Sequence, residues 1–236
     1  AKGNKYLTEV LSEAATFDEF VAGLFDSLLR FDYQTSIFGQ VYDQRKKILK
    51  GITGYNPLLA NYLKKLTDKK DKAIYYLTDL TQLEKEQIIE VINSYRDLYS
   101  RQGLMDILSG VYPDLYYYLQ SYKSGIRLID YYFDDYKYCK VTNCISESFM
   151  LKVQEQATLR EYNKELSPRD LFIDKIDKSK SVLYFVDAFG VEYLSFLQAK
   201  CFEKGLAIKV SIGRCDLPSI TSVNKGFVES FTKVGC

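Results

Sequence analysis

The sequence predicts an α+β protein: a large all-helical N-terminal region that leads into the beginning of an α/β parallel sheet. Three observations predict it. Helix-capping signals and apolar residues at three- and four-residue steps run through the first two thirds of the chain. The periodicity changes after the polar connector Asp177 to Ser181. Beyond it, "VLYFV", "VEYLSFLQAKCFEKG" and "LAIKVSI" give apolar run, helix, apolar run, the pattern of a β-α-β unit. Two domains are expected, a helical one over 1–178 and the first part of an α/β domain over 179–236.

The helices follow in order. Thr16 and Glu19 form a capping box, which predicts a helix from Phe17 to about Phe31. Asn56 and Pro57 supply a cap and a first helical residue before "LLANYLKKL". Thr81 and Glu84 form a second box before "KEQIIEVINSYRDLY". After Pro113 some twenty-five residues contain no Pro and one Gly, which predicts one long helix. Its tyrosines, Tyr116, Tyr117, Tyr118, Tyr122, Tyr131, Tyr132, Tyr136 and Tyr138, could stack on bases. Packing in a core or interface, with the hydroxyl at the wet edge, is the stronger reading. A helix over Glu147 to Lys164 follows, then Ser167 and Pro168 start a short helix in "PRDLFIDKI". About seven helices are thus expected before Ser179. A strand near Val182 to Val186, a helix near Val191 to Lys204 stopped by Gly205, and a parallel strand near Ala207 to Ile212 complete the reading.

Composition narrows the function classes. At 236 residues, 47% hydrophobic and 27% charged, the chain is an ordinary globular one. It has no apolar run of eighteen residues, so no membrane-spanning helix is expected. Its opening, "AKGNKYLTEV", lacks the apolar core of a secretory signal, which makes the cytoplasm the expected compartment. Five cysteines without a repeating spacing read as free thiols. There is no His at all, which excludes Ser-His-Asp and Cys-His catalysis within these residues. A net charge of +1 supplies no global field for nucleic acid. Two local clusters could: Arg45, Lys46, Lys47 and Lys50, and Lys64, Lys65, Lys69 and Lys70. Such runs are more often solvated helix faces.

Two short stretches carry chemistry. Asp187 falls where the first strand ends and a helix begins, the edge at which open α/β sheets collect functional groups. An exposed or helix-capping Asp is the alternative. Thr221 stands in "DLPSITSVNKGF" just ahead of another expected helix, where it could equally be an N-cap.

Together, "YFVDAFGVEYLSFL" and "RCDLPSITSVNKGF" resemble the first two motifs of the PglZ family, found in phage-defence systems of the BREX type and part of the alkaline phosphatase superfamily. The resemblance covers Val182 to Phe231, under a quarter of the chain. It implies that Asp187 is a metal ligand and Thr221 the nucleophile. Pro218 would shape the approach to Thr221, and Asn224 would donate an amide hydrogen bond to a phosphate oxygen. Many members carry an Arg where this chain has Phe189 and Gly190, so no basic contact to substrate is implied there. The superfamily's later Asp and His ligands cannot come from a chain without His. The expectation is therefore a segment of a longer metal-dependent phosphatase or phosphodiesterase. A divalent metal, zinc first, is expected in the full-length protein and none in this chain. The expected partners are a phosphate ester and other defence-system proteins, with no membrane. A degenerate interaction scaffold and a helical nucleic-acid-binding module are the alternatives. If Asp187 and Thr221 share a site, their side chains should face one cleft.

Overall fold

The computed structural model describes residues 5–168, 170–173, 176–177, 179–182, 184, 186 and 188–215. The chain divides into two compact units. One holds the residues through Tyr116 together with Val141–Cys144, and the other holds Tyr117–Lys140 with the described residues from Ile145 onward. The expected boundary at 178/179 lies inside the second unit.

The first unit is built from α1 (Lys5–Ser12), α2 (Phe17–Asp26), α3 (Ser36–Leu49), α4 (Asn56–Leu66), α5 (Gln82–Ser94), α6 (Arg101–Val111) and the start of α7 (Pro113–Leu119). Its helix starts are dictated locally. Thr16 accepts from the Glu19 amide at 3.2 Å while Glu19 accepts from the Thr16 amide at 3.2 Å, so the first capping box is complete. α2 then tightens into a 3-10 turn over Ser27–Arg30. In α4, Asn56 is the first helical residue, and Tyr55 caps it without a side-chain bond. In α5, Thr81 accepts from the Glu84 amide at 3.1 Å, but the Glu84 carboxylate accepts from the Thr81 hydroxyl and from Thr78 instead of from the Thr81 amide. α2 packs on α4, and α4 and α5 both pack on a 3-10 segment, Thr67–Tyr76, that kinks at Lys70. Val21, Leu24, Leu28, Leu59, Ile74, Leu77, Ile88 and Ile92 are fully buried in the resulting core.

The second unit carries the end of α7, most of α8 (Arg127–Thr142), α9 (Glu147–Leu159), α10 (Tyr162–Glu165), α11 (Asp170–Ile173), a 3-10 turn at Val191–Tyr193 and α12 (Leu194–Glu203). The long helix expected after Pro113 is two helices. Gly125 adopts a left-handed φ of +79° between them. Asp130 fixes the restart by accepting from the Ser124 amide at 2.9 Å and the Ser124 hydroxyl at 2.6 Å. α9 stops five residues before its expected end, because Arg160 turns left-handed at φ 49°.

The expected parallel sheet is not there. Among the described residues no strand forms; the nearest approach is one isolated parallel bridge between Pro168 and Arg214. Val182, Tyr184 and Val186 are 79%, 86% and 66% exposed, and 206–212 carry no ladder. The reason is physical. Apolar alternation makes a segment fit for a sheet, but a strand exists only where a neighbour takes its N–H and C=O groups. The described residues supply no such neighbour, so they form an all-helical fold and the expected α+β class is overturned. The helix between the two apolar runs does form, and Gly205 follows it at φ +67°. Among the described residues no helix is long and apolar enough to cross a membrane.

Candidate functional site

Asp187, Pro218, Thr221 and Asn224 all lie outside the described residues, and so does the expectation that Asp187 and Thr221 share a cleft. Their described neighbourhood is informative. Ala188, directly after Asp187, has a left-handed φ of 55°, a conformation that costs a non-glycine residue about 1 kcal/mol. Phe189 stacks on Tyr193 with centroids 5.4 Å apart. A side chain at Gly190 would meet the Glu192 carboxylate at 2.1 Å. The chain thus reverses tightly after position 187 and enters α12 within a few residues. Among the described residues no three His, Cys, Asp or Glu gather into a group that could hold a metal.

In the first unit the charge that sequence reading placed on the surface is in the core. Arg45 is fully buried. Its guanidinium donates to the Tyr62 hydroxyl at 3.0 Å and the Tyr76 carbonyl at 2.8 Å. It also lies over the rings of Phe25, Tyr42 and Tyr62 at 5.8, 5.6 and 5.4 Å. Glu84, also fully buried, accepts from the Thr78 amide and hydroxyl at 3.0 Å each and from Thr81 at 3.2 Å. Burial raises the Glu84 pKa above its ordinary value, with Arg45 and the threonine bonds pulling back. Burial likewise pushes the Tyr62 hydroxyl up to about 12, against the pull of Arg45. This closed, largely satisfied arrangement presents nothing to a substrate and acts on the fold. The other basic residues are partly engaged as well: Lys46 pairs with Asp79 at 2.8 Å and Lys65 with Asp26 at 2.6 Å. Lys69 sits over the Tyr76 ring at 4.3 Å.

In the second unit Lys137 and Ser195 are 2% and 5% exposed. Lys137 donates to the Gln120 carbonyl at 2.6 Å and to the Ser195 hydroxyl at 3.4 Å, and Ser195 donates to the Tyr118 carbonyl at 3.1 Å. A Ser beside a Lys can be an activated nucleophile. Here both are buried and committed to backbone carbonyls, so the pair fastens α12 to α7 and α8. The Tyr118 hydroxyl is buried without a partner, and burial, with Glu192 and Tyr193 nearby, pushes its pKa up.

The same unit has an open cleft of about 460 Å³. Leu128, Ile129, Tyr132 and Phe133 from α8 form one wall, since Leu128 and Tyr132, like Ile129 and Phe133, stand four apart on the helix. Val153, Gln156 and Ala157 from α9 form another, and Tyr162, Leu166, Val191 and the segment Gly213 to Cys215 complete it. Tyr132, Gln156, Tyr162, Arg214 and Cys215 bring polar atoms to the mostly apolar lining. Arg214 donates to the Asn163 carbonyl, and Gln156 donates its amide N–H to Glu161 at 2.8 Å while its own Oε1 is buried without a partner.

A family model described as "Domain of unknown function (DUF7863)" matches residues 1–95, a stretch that holds α1 through α5 and the Arg45–Glu84 cluster. No curated protein and no solved structure matches the chain. Sequence reading missed both the buried cluster and the cleft. The cluster had a signal, because Arg45 falls in step with Phe38, Val41, Tyr42 and Leu49. The cleft had none, because its walls come from separate stretches of the chain.

Proposed function

We propose that the chain is part of a PglZ-like metal-dependent phosphatase or phosphodiesterase acting in phage defence, and that it does not turn over substrate as this segment alone. The observation that carries the reading is the order and separation of Asp187 and the Pro218-x-x-Thr221 segment, 34 positions apart counting from Asp187 to Thr221. The left-handed Ala188 supports it, since backbone strain of this kind collects at functional turns. The parallel sheet lends no support, so the reading rests on these short motifs. In it Asp187 is a metal ligand, Thr221 the nucleophilic hydroxyl and Asn224 a donor to a phosphate oxygen. One carboxylate and one hydroxyl fall short of the donors that two metal ions need, so no step is routed through metal here. When bound, the metal would lower the pKa of the attacking hydroxyl.

The test is hydrolysis of an aryl phosphate mono- or diester by the full-length protein with divalent metal. Thr221→Ala should abolish turnover and leave the fold intact, because loss of a cap alone costs only about 1 kcal/mol. Turnover unchanged in that variant would end the proposal. A full-length protein inactive with every divalent metal would favour the second reading, an interaction scaffold within a defence complex. One observation speaks for that reading: the second unit exposes a cleft with a mostly apolar lining.

A further inference from the structure

We propose that the cleft of the second unit binds a small amphiphile with an apolar body and one carboxylate head, of the class of a medium-chain fatty acid. This rests on the cleft alone and is independent of the phosphatase reading. Its volume, about 460 Å³, falls within the roughly 300–1,000 Å³ of small-molecule sites. Such sites combine an apolar lining with a few polar groups that orient the ligand, and Arg214 brings the charge here. Leu128, Ile129, Phe133 and Val153 offer the apolar body the contacts that water cannot make.

Arg214 defines the head. It spends one N–H on the Asn163 carbonyl. A guanidinium has five N–H donors in a planar fork suited to a carboxylate, so it keeps donors for one. Gln156 donates to Glu161, and its Oε1 is enclosed by the protein, out of a ligand's reach. The Glu161 carboxylate is outside the lining and tied to the Gln156 amide, so it does not face the head directly.

The experiment is isothermal titration of the whole chain with decanoate and decanol, each below its aggregation concentration. One decanoate per chain should bind, with decanol about tenfold or more weaker, the loss of a charge-assisted pair. Arg214→Gln should remove the preference for carboxylate over alcohol. Ala157→Trp, placed at the exposed rim, should block both. Helical circular dichroism of each variant identifies a folded protein, and if Ala157→Trp fails to fold, Arg214→Gln decides alone. Equal affinity for decanoate and decanol, binding unaffected by Arg214→Gln, or no saturable binding would overturn the proposal.

Discussion

Arg45 occupies a place on α3 that the helix otherwise fills with Phe38, Val41, Tyr42 and Leu49, all of them buried. Its charge is held there by Tyr62, the Tyr76 carbonyl and the field of Glu84. Removing one member of such a group leaves the other charge uncompensated. Arg45→Met should therefore destabilise the chain by about 3–5 kcal/mol in urea denaturation. A loss under about 1 kcal/mol would show that Glu84 does not depend on Arg45. Glu84 makes a second prediction with a definite sign. Its native pKa is raised above the ordinary 4.5, mainly by burial, so the folded chain holds that proton more firmly than the unfolded chain. Stability then falls as pH rises from about 4.5 through the native pKa, because the native state binds more protons in that window. Glu84→Gln cannot ionise and should escape this decline. Melting temperatures measured at pH 4 and pH 7 should drop more for the wild type than for the variant, and parallel behaviour would refute it. At this scale the sequence was partly legible. The Thr16 and Thr81 caps are local and could be read, whereas the inward turn of Glu84 depends on Thr78 and Arg45, which no short window contains.

Helix starts were more legible than helix stops. A start is announced by a side chain acting within three residues, as at Thr16, Thr81 and Ser146, which caps α9 by accepting from the Phe149 amide at 3.2 Å. The break between α7 and α8 was hidden because a single glycine in a good helical pattern is tolerated as often as it is used. Gly125 is used: its φ is +79°, and no atom lies within 4 Å of where a methyl would stand. Gly125→Ala thus tests the backbone alone. It should cost about 1 kcal/mol, and Gly125→Asn less, since Asn tolerates the left-handed region better. A neutral Gly125→Ala in thermal melts would mean that α7 and α8 can merge. The two apolar runs that flank α12 failed as strands for a different reason. Their composition was read correctly, but pairing is a property of two segments and cannot be read from one.

For the whole molecule, the helical character of the first two thirds was written in its periodicity, while the division into units was not. The first unit closes on itself only with help from a later stretch. Val141 and Thr142 are 8% and 2% exposed, and Asn93, its amide nitrogen turned toward them, donates to their carbonyls at 2.9 and 3.1 Å. A chain ending at residue 144 should accordingly be more stable than one ending at 116, by about 2 kcal/mol for the buried valine alone. Equal urea midpoints for the two would show that the later stretch is dispensable.

That returning stretch also sets an order in time. A protein leaves the ribosome from its N-terminus, and a unit whose residues were contiguous could settle as soon as its last one emerged. This one cannot: after Tyr116 the chain must lengthen by 28 residues, from 117 to 144, before Cys144 is made. At roughly 5–20 residues per second, that is a delay of about one to six seconds. Throughout it the α1–α6 bundle is present but open along the face that Val141 later covers, the interval in which a nascent chain is most exposed to a wrong partner.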